Sequence, residues 1–118
     1  MDTLHRQIAQ AAVLYYALLG LWGLTLALRR LPFGPGYRGA LLIGAGLGVA
    51  QLVVGLTLLA LGTRPRDDLH YLYGLSILAT LPLVHQYLAG RRLRATLAYG
   101  LGSLFMMGLA LRAITTGA

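Results

Sequence analysis

Four long apolar runs, almost free of charge and divided by short arginine-bearing segments, constrain this chain more than any other feature. A helix needs about 20 apolar residues to cross roughly 30 Å of hydrocarbon. Four stretches meet that length: about 7–28, 40–62, 69–89 and 96–114. All are far longer than the strands of a membrane barrel, and a lone strand in lipid would leave its backbone groups unsatisfied. The sequence therefore predicts an all-α, integral membrane, four-helix antiparallel bundle forming a single domain over 1–118. Composition agrees. Of the 118 residues 58% are apolar and 11% charged, too few charges to clothe a water-soluble surface of this size.

All ten cationic residues are arginine. A basic balance of this size can mark a nucleic-acid binder, but here the arginines occupy short loops between apolar runs, where they set topology, so no nucleic acid is expected. The absence of cysteine excludes a disulfide framework and thiolate metal sites. The N-terminal run does not read as a signal peptide: Asp2 stands where a basic segment belongs, and three further apolar runs follow.

The first loop, Arg29 to Gly39, contains Pro32, Gly34, Pro35 and Gly36, which predict the end of one helix and a turn. The second, Thr63 to Asp68, offers Asp67 or Asp68 as a cap for the third helix. The third, Gly90 to Ala95, begins with a glycine suited to a helix C-cap. The first and third loops carry Arg29, Arg30, Arg38, Arg91, Arg92 and Arg94 with no acid. The opposite side carries Arg6, Arg64, Arg66, Arg112 and all three aspartates. The positive-inside rule puts the first and third loops in the cytoplasm and both termini outward, in a multi-pass protein of a prokaryotic inner or plasma membrane. Tyr37, Tyr71, Tyr73, Tyr87 and Tyr99 fall at span edges, as an interfacial aromatic belt requires.

Small residues mark where helices could approach. Gly44 and Gly48 form a G-x-x-x-G in the second span, with Gly55 one heptad later, and Gly100, Ser103 and Gly108 lie in the fourth. They suit ordinary helix packing, a flat cofactor or a neighbouring subunit. Pro82 is expected to kink the third helix. Gln51, near the middle of the second span, is expected to face the interior, as glue between helices or beside a cofactor.

Catalytic machinery is scarce: no acid lies within a span, and there is no nucleophile motif, phosphate loop or metal-ligand cluster. Three histidines remain. His5 and His70 open the first and third spans, so they lie at one end of the bundle on helices running the same way. Two neutral imidazoles from two helices are what a six-coordinate haem iron needs on its axial positions. Arg6, Arg64, Arg66 and Arg112 share that depth and have the guanidinium geometry that binds carboxylates such as haem propionates. The competing reading is that His5 is an interfacial residue and His70 stands near a helix start by chance. His85 lies fifteen residues beyond His70, about 22 Å along the axis, and reads as a hydrogen-bonding residue.

The stretch Asp2-Thr-Leu-His5-Arg6, leading into a helix, resembles the acidic-x-x-His-Arg helix start of the haem A synthases. Gln51-Leu-Val-Val-Gly55-Leu-Thr57 is similar to the Gln…Gly-x-Thr stretch of that family's next helix, and Leu69-His70 to the start of its following histidine helix. The resemblance covers about the first 90 residues and one four-helix half of such an enzyme. Departures accompany it. The family has two halves and about eight spans, a helix before the His-Arg motif, a glutamate where Asp2 stands, and an outward cysteine pair. What the resemblance implies is accordingly limited to axial ligation by His5 and His70, without the oxidation of a haem methyl group.

Three function classes follow. The first is a small membrane protein holding a b-type haem near the outer face through His5 and His70 as metal ligands, with Arg6, Arg64, Arg112 and Gln51 around the cofactor, for electron relay or haem holding. The second is a non-catalytic accessory subunit of a respiratory or photosynthetic complex, partnered by other membrane subunits or by a second copy. The third, a small transporter, lacks the intramembrane carboxylate such proteins use for coupling.

Overall fold

A computed structural model describes residues 2–31, 34–64, 68–88 and 95–117. Four helices account for nearly all of them: α1 (Asp2–Leu28), α2 (Pro35–Ala60), α3 (Leu69–Leu88) and α4 (Ala95–Gly117). They form a bundle 48 Å long and 24 × 20 Å across. Within α1, α2 and α4, the segments Thr3–Leu28, Pro35–Ala60 and Ala95–Thr115 are long and apolar enough to cross a membrane. The protein is thus a multi-pass membrane protein. α3, 20 residues long, is not among these segments; it carries His70, Tyr71, Tyr73, Ser76, Thr80, His85 and Gln86.

Helix ends depart from the reading of the first loop. α1 stops at Leu28 because Arg30 turns left-handed, with φ 54°. Arg30 N–H donates to Ala27 O at 3.2 Å and Leu31 N–H to Leu26 O at 2.9 Å, the paired bonds of a Schellman cap. Pro35 and Gly36 do not belong to the turn. Pro35 opens α2 behind an extended Gly34, since a first-turn proline has no N–H to leave unsatisfied. α2 ends in the same type of cap, with Gly62 at φ 90° and Thr63 N–H donating to Leu58 O at 2.9 Å. Before α3, Asp68 O accepts the Tyr71 N–H at 3.1 Å. Asp67 and the Gly90 cap lie outside the described residues, as do Arg66, Arg91, Arg92 and Arg94. Pro82 sits inside α3, which continues to Leu88.

The helices contact one another in a ring, α1–α2–α3–α4–α1, with α1 and α3 facing across it. α1 and α4 pack most closely, and α2 and α3 least. The α1–α4 approach is a glycine contact. A Cβ on Gly100 would stand 2.9 Å from Leu24 N and 3.1 Å from Gly23 C, and one on Gly20 would stand 3.2 Å from Gly100 O. Backbone touches backbone there, and no side chain fits between.

Tyrosines bind α1 to α2. Tyr15 donates to Ala40 O at 2.7 Å, Tyr16 to Gly44 O at 2.9 Å, and Tyr37 to Leu19 O at 2.9 Å. Gly44 is where the rings of Tyr15 and Tyr16 lie against α2, and Gly48 receives Leu78 of α3. The sequence assigns Tyr37 to the interfacial belt. It is instead 2% exposed and inside the core with Tyr16, Leu41 and Met106. Tyr87 is 57% exposed, near the end of α3.

Two outcomes are expected from detergent unfolding. Gly100→Ala should lose about 1–3 kcal/mol by overpacking against backbone that cannot yield, whereas Gly108→Ala, with nothing within 4 Å of the new methyl, should lose nothing. Arg30→Gly should gain about 1 kcal/mol by relieving the left-handed cost of a side-chain-bearing residue.

Candidate functional site

At the end of the bundle where α1 and α3 begin, all four helices line a cavity of about 220 Å³. His5 comes down from the first turns of α1 and His70 from the start of α3, diagonally opposite in the ring. Their ring centroids are 5.9 Å apart, with planes inclined at 67°. The depth match read from the sequence is therefore also a lateral match, and both rings are half-buried in the cavity wall.

The state of His70 follows from its partner. Nδ1 lies 2.8 Å from Ala113 O in α4. A carbonyl oxygen only accepts, so Nδ1 carries a proton and donates, which orients the ring and leaves Nε2 out of that bond. An imidazole held this way through one nitrogen and open at the other has the orientation common among metal-bound histidines. His5 is placed by a different contact. Gln51 of α2 donates through Nε2 to the His5 backbone oxygen at 3.0 Å. Gly55, one turn further along α2, lies under the ring, where a Cβ would come within 3.5 Å of His5 Cε1. Gln51 thus joins helices, as its depth in the sequence implies. Its Oε1 also lines the buried wall with no hydrogen-bond partner among the described residues.

Arg6 and Arg64 line the mouth, both exposed. Arg112 is not brought to the cavity. Its guanidinium carbon lies 6.0 Å from the ring centroid of Tyr73, a cation–π position on the α3–α4 surface. His85 stands at the other end of the bundle, exposed, with Tyr99 Oη 3.4 Å from its Nδ1. It is a hydrogen-bonding residue, away from the other two histidines.

Tyr16 and Gly74 were not singled out by the sequence reading, yet both line the cavity. Tyr16 offered a signal: a phenol nine residues into the first apolar span lies too deep for a belt and needs a partner within the protein. Gly74 offered one less clearly, as the residue one helical turn after His70. A Cβ there would meet nothing within 4 Å.

Among the described residues no acidic side chain lines the cavity. Among the described residues no group of three or more His, Cys, Asp or Glu is gathered as for a metal ion held by protein alone. Comparison with protein-family models, with curated proteins and with solved structures finds no match for this chain.

Replacing Gln51 separates its two atoms. Gln51→Leu should change stability by less than about 1 kcal/mol, because the lost bond to His5 O is offset by removing a buried, unpartnered oxygen. Gln51→Glu should cost several times more, by placing a carboxylate in the same wall. Thermal unfolding in detergent reads both.

Proposed function

We propose that this protein is a small membrane haem protein, holding a b-type haem between His5 and His70 for electron relay or haem storage. The observation that carries the proposal is the pair of imidazoles meeting across the bundle in a cavity with arginines at its mouth.

The residues fit such a group on three counts. First, His5 and His70 bring their ring centroids to 5.9 Å across the cavity, so the two side chains would hold one iron between them, and that iron would supply reversible one-electron chemistry. Second, the bond from His70 Nδ1 to Ala113 O leaves Nε2 as the nitrogen that would bind the iron. Third, Gly55 and Gly74 leave flat places in the wall beside the two histidines, as a planar macrocycle requires.

A haem brings four equatorial nitrogens, so two imidazoles complete its iron, and a cluster of three protein ligands is not needed. Arg6 and Arg64 would bind the propionates by charge-assisted hydrogen bonds at the mouth. Gln51 would steady His5 through the backbone bond it already makes. On the positive-inside assignment the arginine-bearing first and third loops are cytoplasmic, and the haem lies on the outward side.

The purified protein from a haem-replete host should show a Soret band and sharp reduced bands of a low-spin bis-imidazole iron. His70→Ala and His5→Ala should each lose the low-spin signature, while His85→Ala should retain it. A haem-free preparation, or a spectrum indifferent to His70→Ala, overturns the proposal.

A further inference from the structure

We infer that the cavity is filled sideways from the bilayer, through the seam between α2 and α3, and that its ligand is an amphiphile drawn from the membrane rather than a solute drawn from water. The identity of that amphiphile as haem rests on the proposal above; the route does not.

The seam is defined by unequal packing. α1 and α4 are the most closely packed neighbours in the ring, and at the level of the cavity α2 is bound to α1 by Gln51 Nε2, which donates to the His5 backbone oxygen. Between α3 and α4, His70 binds Ala113 at the level of the cavity. α2 and α3 are the least closely packed neighbours in the ring. Leu52 and Leu56 of α2 and Leu75 of α3 line the cavity and yet are 38%, 55% and 59% exposed. A side chain that reaches both the cavity and the outer surface marks the rim of an opening. Along the seam this rim is leucine, on helices whose neighbouring outward residues Val49, Val53 and Leu72 are also apolar, so it faces hydrocarbon; Arg6, Thr63 and Arg64, exposed and also lining, mark a second, polar rim at the end of the cavity.

Charge is confined to the end of the cavity, at Arg6 and Arg64. A ligand complementary to this distribution has an anionic head and a broad apolar body, which is the constitution of a membrane amphiphile. Size points the same way. The enclosed volume of about 220 Å³ is below the roughly 300–1,000 Å³ of pockets that enclose a drug-sized ligand. A macrocycle seated there would extend into the seam and be partly walled by lipid.

The chain has no cysteine, so single labels can be placed without background. Gly74→Cys carries a nitroxide into the cavity beside the seam, at a position with free space around it. In vesicles of neutral phospholipid, collision with dissolved oxygen should exceed collision with a water-soluble nickel chelate at least several-fold. The reverse ratio means an aqueous mouth and overturns the inference, whether or not haem binds. In a second arm, Leu56→Cys and Leu75→Cys are joined by a short bismaleimide. Uptake of haem from preloaded vesicles should slow at least tenfold, while haem bound before joining is retained. Uptake at the unjoined rate overturns the lateral route. Failure of the unjoined protein to take up haem overturns the haem assignment, and the nitroxide ratio then decides the route alone.

Discussion

The backbone contact between α1 and α4 is the constraint on which the rest of the molecule depends. In lipid there is no hydrophobic push between helices, so close approach must be gained by removing side chains. Gly20, Gly23 and Gly100 do this along one edge, and the backbones meet at distances that no Cβ would permit. A chain of four helices with one edge drawn so tight cannot be equally tight all round. α2 is held to α1 by phenol hydrogen bonds and α3 to α4 largely near its ends, so the slack collects between α2 and α3. The cavity is the space left by that inequality.

The site belongs to the same geometry. α1 and α3 are not neighbours, yet His5 and His70 meet because both stand in the opening turns of helices that face each other across the ring. Each is placed by a hydrogen bond that also links helices: Gln51 to the His5 carbonyl ties α2 to α1, and His70 to the Ala113 carbonyl ties α3 to α4. The two polar bonds around the cavity place its two histidines and hold its walls.

Much of this was legible in the residue order. Length and apolarity announce helices, short loops announce antiparallel neighbours, and equal depth announces that His5 and His70 share an end. Gln51 could be read as an interior residue because an amide at mid-span has no other outlet. The lateral details were not legible. Which face of α1 meets α4 is decided by Gly20 and Gly23, whose role appears only once Gly100 is opposite them. Tyr37 reads as an edge residue from its distance to the loop. Proline at the first position of α2 makes that helix begin earlier, however, and carries the ring inside. Arg112 shares the depth of the cavity but points along a different face of α4, toward Tyr73. Depth is a one-dimensional quantity that spans reveal well, whereas azimuth needs the partner helices.

A bundle fastened along one edge and slack along the other behaves as a bound book does. Its spine is α1 with α4, and its pages can part only at α2 and α3. The width of that parting is then governed partly by the surroundings, because the lateral pressure of the acyl chains bears on the exposed leucines of the rim.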